Sequence, residues 1–275
     1  MSVIRFRGSR PTRRALLAGL AVAAVALGCA LAPLPGRAAV SPATTSPGAP
    51  PPEPRTVLVF GGTGQLGAQV VRRFVAAGDR VTVFARPGAD RTRLQGLDVG
   101  YVTGDLLDAA AVAAALRTTR PAIVVNAVRV EDGDVHFYEK IMGPMAAHSK
   151  ETGVRQLIHH GAVGAGDNAA KFPTLGWDKV PGLLERLADQ GVGERLLRDS
   201  GVPYTIIRNA RIYPDATPAT GRAELTEDDG VISPMTRADL AALTLRCAGD
   251  PACLGKTYHV RDASLAWPPP GAAAR

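Results

Sequence analysis

The stretch Gly61-Gly62-Thr63-Gly64-Gln65-Leu66-Gly67 decides the fold that this chain predicts. It follows a short apolar run over residues 56–60 and precedes a segment of helical periodicity over residues 68–77. Between a strand and a helix, glycines permit a tight reversal because they adopt backbone angles that a side chain forbids. The bare backbone of such a turn also lets an anion approach the N–H groups of the helix N-terminus. Strand, glycine turn and helix in this order are typical of a dinucleotide pyrophosphate site.

The composition limits the class of protein. The chain has 275 residues, of which 46% are hydrophobic and 5% aromatic, which suits one large α/β domain or two small ones. The net charge is +7, but residues 1–32 contain five arginines and no acid, which leaves +2 for the remainder. The basic charge therefore belongs to the N-terminal segment, and the body has no nucleic-acid footprint. No cluster of Cys and His residues in the sequence has the spacing of a metal site.

Residues 1–32 have the features of an export signal. The pair Arg13-Arg14 precedes an uncharged run over residues 15–32, which is the pattern of a twin-arginine signal peptide. A permanent membrane anchor is the alternative, since a run of this length just spans a bilayer. Two kinds of processing stay open: a lipid on Cys29, or ordinary cleavage after small residues such as Ala32. We therefore expect a periplasmic, extracytoplasmic or membrane-tethered protein that meets the membrane only through this leader or lipid.

Three segments follow the leader. Residues 33–54 are dense in Pro, Ala, Ser and Thr and predict an extended spacer, because they cannot bury enough apolar surface to fold. A nucleotide-binding domain is expected over residues 55–212, and a small substrate lobe with a loose tail over residues 213–275. In an exported protein Cys247 and Cys253 could form a disulfide around the chain reversal between them, or they could be two unrelated buried thiols.

The body alternates β-branched runs with helical periodicity, which predicts a doubly wound parallel α/β sheet of Rossmann type with a small C-terminal lobe. The predicted strands are 56–60, 80–85, 99–102, 122–125, 156–160 and 203–208, with shorter ones at 231–234 and 256–260. Helices are predicted over 134–152, 193–199 and 236–248. The carboxyl ends of these strands should face a ligand crevice.

The end of the second strand bears on the choice between NAD and NADP. A site that selects NAD needs an acid there, to accept hydrogen bonds from the ribose hydroxyls. The sequence instead has Arg86, with Arg91 and Arg93 close behind. A guanidinium group matches the geometry of a 2′-phosphate, so the sequence favours NADP over NAD. The alternative is that these arginines only solvate a loop.

The body resembles the atypical or extended short-chain dehydrogenases/reductases of the NmrA-like, NAD(P)H-binding branch. The motifs of this resemblance are Gly61 to Gly67, Arg86, Gly104-Asp105-Leu106, residues 194–208 and residues 236–241, within a match that spans about 55–260. The resemblance implies that the pyrophosphate lies on the glycine turn, that Asp105 and Leu106 lie by the adenine, and that Asn126 and Ala127 lie near the ribose. The implied pyrophosphate-binding residues are Gly61, Gly62, Thr63, Gly64, Gln65, Leu66 and Gly67.

The chain departs from this superfamily at the catalytic positions. Members commonly pair a Tyr with a Lys four residues later, because the cation lowers the pKa of the phenol that exchanges the proton. Counted back from Glu194, these positions hold Arg186 and Gln190. The serine positions at the end of the fifth strand hold Gly161 and Ala162. Tyr138 and Lys140 lie only two residues apart on an earlier segment, so the catalytic residues stay unassigned.

Several substitutes for the missing pair are open. His159 or His160 could act as acid or base at the mouth of the crevice, since imidazole titrates near neutral pH. Tyr204, Arg208 and Tyr213 could contact a substrate near the sixth strand. Solvent could supply the proton to an electrophilic substrate. We therefore expect an exported NADP(H)-dependent oxidoreductase of atypical mechanism that transfers hydride to a small molecule. The alternative is a non-catalytic NADP(H)-binding sensor or scaffold.

Overall fold

The computed structural model describes residues 53–130 and 136–267. Eight strands form its central sheet: β1 (Thr56–Phe60), β2 (Arg80–Ala85), β3 (Gly100–Thr103), β4 (Ile123–Asn126), β5 (Gln156–Ala162), β6 (Tyr204–Asn209), β7 (Glu224–Thr226) and β8 (Lys256–Arg261). Five α-helices accompany them: α1 (Gln65–Ala76), α2 (Ala109–Thr119), α3 (Phe137–Glu151), α4 (Leu183–Asp199) and α5 (Arg237–Cys247). Residues 1–52, which comprise the leader and all but the last two residues of the spacer, lie outside the described residues.

The sheet confirms the predicted fold class. Its strand order is β3-β2-β1-β4-β5-β6-β8-β7, and all neighbouring strands are parallel except β7, which runs antiparallel to β8. The strand order changes direction at β1, which pairs with β2 on one side and with β4 on the other. In a doubly wound sheet a crevice opens at such a switch point, beyond the carboxyl ends of the strands.

The central strands are apolar throughout because helices cover both faces of the sheet. In β1, Val57 and Val59 belong to a core shared with α1 and α5. The alternate residues, Leu58 and Phe60, belong to a second core shared with α2, α3 and α4. All four side chains are at most 2% exposed. This burial explains why the sequence of β1 shows no alternation of polar and apolar residues.

Two predicted elements differ from the structure: one strand does not form, and one helix begins earlier than predicted. Residues 231–234 form no strand; Ser233 instead exchanges hydrogen bonds with the Asp262 backbone, its Oγ accepting from the Asp262 N–H at 2.9 Å. Pro234, which lacks a backbone donor, also disfavours a ladder there. The strand at this edge is β7. Helix α4 begins at Leu183, well before the predicted start at residue 193, and the Gly191 and Gly193 that obscured its helical pattern are buried within it.

The C-terminal elements attach to the sheet through α5 and β8. The end of α5 is linked to the chain before β8 by a disulfide between Cys247 and Cys253, with a Cα–Cα distance of 5.5 Å. Of the two alternatives for these cysteines, the structure therefore has the disulfide. None of the helices in 53–130 and 136–267 has both the length and the apolar character needed to cross a bilayer.

Candidate cofactor and substrate cleft

A cleft of about 1000 Å³ lies at the carboxyl ends of the parallel strands. Its wall is built from the turn after β1, the segments after β2, β3, β4 and β6, and the end of β5. The first residues of α1, α3 and α5 complete it together with Gln190 of α4. The cleft therefore occupies the crevice that the switch point between β1 and β4 creates.

The glycine turn is shaped by close backbone contacts. Gly61 has a φ of +76°, and a Cβ atom there would lie 2.8 Å from the backbone of Ala127. A Cβ atom at Gly67 would lie 2.1 Å from the Gly61 carbonyl oxygen, and one at Gly62 would lie 2.8 Å from Val83. Only glycine fits these positions, since atoms at such distances overlap. Gly61 faces the cleft, whereas Gly62 and Gly67 lie behind the wall and let α1 pack against the turn and against β2.

The N-terminus of α1 opens onto the cleft, and no side chain caps it. Gly64 is the N-cap residue, no side chain accepts a hydrogen bond from the first turn, and that turn contains no acidic residue. Thr63, Gly64, Gln65 and Leu66 all line the cleft. The first N–H groups of a helix have no partner within the helix, and the helix dipole favours negative charge at this end. The residues therefore fit the pyrophosphate of a dinucleotide.

The segments after β2 and β3 line the neighbouring part of the cleft with Arg86, Asp90, Asp105 and Leu106. We call this part, with its two carboxylates and one guanidinium, the adenosine side. One oxygen of Asp105 accepts a hydrogen bond from the Leu107 N–H at 2.9 Å, which fixes the turn after β3.

Only one of the three arginines predicted near a 2′-phosphate lines the cleft. Arg86 lies in its wall. The Arg91 guanidinium stacks 4.0 Å from the centre of the Tyr101 ring. Arg93 forms an ion pair with Asp215 at 2.5 Å. The charge argument for NADP therefore rests on Arg86 alone.

Asn126 supports the cleft from behind. It is fully buried, and its Oδ1 accepts a hydrogen bond from the Val128 N–H at 3.2 Å. Its Nδ2 lies 3.2 Å from His159 Nδ1 on the neighbouring strand, so the amide donates to the imidazole. These bonds hold the bend after β4 that brings Ala127 and Val128 into the wall of the cleft. Asn126 thus orients the predicted ribose contact at Ala127 without lining the cleft itself.

The two histidines of β5 do not stand at the mouth of the cleft as predicted. His159 and His160 are 0% and 4% exposed because β5 is covered on both faces. Burial lowers the pKa of both to about 3, with the positive Arg198 and Arg208 adding to the shift of His159, and His159 adding to that of His160. His160 lines the cleft, but its Nε2 bonds to Thr244 Oγ1 at 3.1 Å. Both imidazoles are therefore neutral at neutral pH and unsuited to proton exchange there.

The glycine at the superfamily's serine position has a structural cause. A Cβ atom at Gly161 would lie 2.6 Å from Glu194 Oε1. Glu194 is fully buried and forms ion pairs with Arg208 at 2.6 Å and with Arg198 at 2.8 Å. The space that a side chain would need at position 161 is therefore filled by a buried carboxylate of the protein itself.

The structure brings Tyr138 into the cleft, which the sequence did not indicate. The residue is 2% exposed, and its hydroxyl donates a hydrogen bond to the Val128 carbonyl at 3.0 Å. Asp189 fixes the start of α3 by accepting from the backbone N–H of Tyr138 at 2.8 Å and of Glu139 at 3.0 Å. Burial raises the pKa of the phenol to about 12, so it stays protonated. Gln190 lines the cleft beside it.

The predicted substrate contacts near β6 lie elsewhere. Arg208 is bound to Glu194, and Tyr213 is 7% exposed with its hydroxyl donating to the Ala266 carbonyl at 3.0 Å. Tyr204 stands at the other end of β6, away from the cleft. Asn209 and Ile212 line the cleft instead, because they follow Arg208 at the carboxyl end of the strand.

Comparison with known proteins agrees with this geometry. A model of a family described as NAD(P)H-binding matches residues 61–251. The chain belongs to this NAD(P)H-binding family.

The relatives of the chain include named oxidoreductases. It is 28% identical over 223 residues to quinone oxidoreductase 2 of Escherichia coli K12, a match that covers 77% of this chain and 70% of that protein. A shorter match, 35% identical over 115 residues, covers 40% of this chain and 35% of sterol demethylase protein B from Methylococcus capsulatus.

A solved structure shares the fold. ChuY, an anaerobillin reductase from Escherichia coli O157:H7, superposes with a TM-score of 0.66 at 22% identity, covering 77% of this chain and 98% of that one. The family match confirms the predicted NAD(P)H binding, and the relative named as an oxidoreductase supports the predicted class of NAD(P)-dependent oxidoreductase.

Proposed function

We propose that the protein is an NADP(H)-dependent oxidoreductase that reduces a small electrophilic molecule. The observation that carries this proposal is the uncapped N-terminus of α1, which opens onto the cleft and has no acidic residue in its first turn. Arg86 supports the choice of NADP, because it lines the cleft at the end of β2, where an NAD site would use an acid.

Each part of the cleft has a role in holding the cofactor. The backbone from Gly61 to Leu66 would bind the pyrophosphate, and Arg86 the 2′-phosphate. Asp105 and Leu106 would lie by the adenine, and Ala127 near the ribose. When bound, the cofactor supplies the hydride. The protein contributes the orientation of the two reactants and the exclusion of water between them.

The proton that accompanies hydride transfer cannot come from the superfamily's Ser, Tyr and Lys side chains, which this chain lacks at those positions. Gly161 and Ala162 offer no hydroxyl, Gln190 carries no charge, and His160 is neutral and bonded to Thr244. A quinone or conjugated carbonyl accepts hydride at carbon and can take its proton from solvent, so it needs no strong acid in the site. The quinone oxidoreductase among the relatives supports this class of substrate.

Cofactor binding and turnover test the proposal separately. Fluorescence titration with NADPH should give saturable binding in the micromolar range, tighter than NADH. Consumption of NADPH should then be followed against quinones, enones and aldehydes. Absence of binding would overturn the proposal, whereas binding without turnover would favour a sensor or scaffold. The second candidate is favoured by the lack of any hydroxyl at Gly161 and Ala162.

We further propose that the protein is exported through its twin-arginine leader. The disulfide between Cys247 and Cys253 supports this location, because disulfides persist in oxidising compartments. Replacing Arg13 and Arg14 together by lysine should leave the folded protein in the cytoplasm, as measured by fractionation. Mass spectrometry of the mature N-terminus would distinguish cleavage from a lipid on Cys29.

A further inference from the structure

The charges that line the cleft are divided unevenly. Both carboxylates in the wall, Asp90 and Asp105, belong to the adenosine side. Outside that side, the described lining residues with a charged side chain are Arg129, after β4, and Arg237, at the start of α5. We call these two the arginine pair. Neither belongs to the residues that the proposed function assigns to the cofactor's phosphates, which are the turn from Gly61 to Leu66 and Arg86.

Arg237 is held in the wall by the fold. It is the first residue of α5, its guanidinium is half-buried, and its Nη1 donates a hydrogen bond to the Tyr213 carbonyl. A positive charge at a helix N-terminus opposes the helix dipole, so this position does not stabilise α5. Burial lowers the pKa of Arg237, and Arg129 and Arg93 act in the same direction against the opposing charge of Asp215.

The acids near Arg237 form their hydrogen bonds with other groups, although the charge of Asp215 acts on Arg237. Asp215 is bound by Arg93 at 2.5 Å. Asp239, in the same helical turn, accepts hydrogen bonds from the backbone of Thr220 and Gly221 and from the Thr236 hydroxyl. The charge of Arg237 is therefore not met by a hydrogen-bonded carboxylate among the described residues.

Arg129 approaches the same space from β4. It follows Val128, whose carbonyl accepts the Tyr138 hydroxyl, and its side chain lines the cleft. It is exposed, and it forms no ion pair within the described part of the chain. The two arginines thus reach one cavity from opposite segments of the fold. Guanidinium groups match the oxygens of a carboxylate or a similar oxyanion.

We propose that the arginine pair binds an anionic group of the substrate, so that the preferred substrate is an electrophile carrying a carboxylate or comparable oxyanion. This inference rests on the proposed function and narrows its substrate class. The anionic group would anchor the substrate away from its reacting carbon, which Gln190, Asn209 and Ile212 would surround. Charge-assisted hydrogen bonds to such a group are worth more than neutral ones.

A matched pair of probes tests this inference: a naphthoquinone with a carboxylate side chain and the methyl ester of the same compound. Their affinities for the protein saturated with NADP⁺ measure anion recognition whether or not turnover occurs. We expect the wild-type protein to bind the acid about tenfold or more tightly than the ester, which corresponds to about 1.4 kcal/mol or more. A kcat/KM comparison with NADPH should show the same preference.

Three variants locate the effect. Arg129→Gln and Arg237→Gln should each lower the affinity for the acid by about tenfold and leave that for the ester within about twofold. Arg129→Gln removes no hydrogen bond within the described residues, so it tests the inference even if Arg237→Gln disturbs α5. Arg117→Gln is the control, because it removes one exposed positive charge on α2, outside the cleft wall. It should preserve the preference for the acid.

The outcomes separate this inference from the proposed function. Equal affinity of the wild-type protein for acid and ester would overturn the inference. So would a tenfold loss of NADPH affinity in both arginine variants with the acid preference intact, because the pair would then serve the cofactor. Failure of the wild-type protein to bind NADPH would instead overturn the proposed function. The acid–ester comparison on cofactor-free protein would then decide the role of the arginine pair on its own.

Discussion

Two glycines at the carboxyl ends of β1 and β5 have different structural roles. Because Gly61, after β1, has no side chain, the backbone can turn sharply against Ala127, and the N-terminus of α1 stays open to the cleft. Because Gly161, near the end of β5, has no side chain, the carboxylate of Glu194 can occupy the space where its Cβ would lie. The first glycine shapes the wall of the cleft, and the second makes room for the protein's own buried ion pairs. A missing side chain therefore does not by itself reveal a binding site.

The largest expected effect comes from closing the space after β1. Gly61→Val places a branched side chain at a φ of +76°, with its Cβ 2.8 Å from the Ala127 backbone. Strain of this kind and the overlap must displace the turn, so NADPH affinity should fall by about a hundredfold or more. Fluorescence titration measures the loss, and circular dichroism checks that the variant is folded. A folded variant with wild-type affinity would show that the turn does not hold the cofactor.

Filling the space at the end of β5 should damage stability rather than create activity. Gly161→Ser restores the superfamily's serine but places its Cβ 2.6 Å from Glu194 Oε1. We expect a loss of about 1–3 kcal/mol in the free energy of unfolding, as for an overpacked core, and no gain in turnover. Ala162→Ser is the matched control, since this neighbouring residue lines the cleft and is only partly buried. A stable and more active Gly161→Ser protein would contradict the assignment of that space to Glu194.

The buried histidines of β5 predict an acid-sensitive fold. Their pKa values fall from 6.5 to about 3 on folding, so the unfolded chain binds more protons between these values. Stability from each is therefore complete above about pH 6.5 and is lost as the pH falls toward 3, with a slope of up to about 1.4 kcal/mol per pH unit. Denaturant titrations from pH 7 to pH 4 measure this slope, and His159→Gln should reduce it. An unchanged slope in that variant would show that His159 is not the group that titrates.

Arg86 provides the smallest and most selective change on the cofactor side. Arg86→Ala should weaken NADPH binding by about tenfold and NADH binding hardly at all, because only NADPH carries the 2′-phosphate that the guanidinium would bind. Arg91→Ala is the control, since Arg91 stacks on Tyr101 outside the cleft wall. Equal losses for both dinucleotides in Arg86→Ala would argue against a preference for NADP that depends on this residue.

Much of the cofactor side could be predicted because its determinants are local. The strand before Gly61, the turn and the start of α1 are adjacent in sequence, so a local sequence pattern is enough to predict all three. Arg86 and Asp105 follow strands whose ends meet at one edge, and they line the cleft as a parallel sheet requires. The start of α4 could not be predicted in the same way, because its buried glycines lower helix propensity and only packing compensates for them.

The substrate side was less predictable because distant segments build it. Tyr138 enters the cleft only because Asp189, on α4, fixes the first turn of α3. The two histidines look like candidate bases in the sequence. Because both faces of β5 are covered, however, the two side chains are buried and their pKa values are lowered. The arginine pair likewise joins the ends of β4 and α5, which are far apart along the chain.

The sequence by itself determined the doubly wound sheet and its glycine turn, since both follow from local periodicity and from the backbone freedom of glycine. Only the tertiary structure decided which space each glycine opens, that both histidines of β5 are neutral and which arginines share a cavity. The physical reason is that burial and proximity between remote segments set charge, space and solvent access, and none of these is a property of a residue alone.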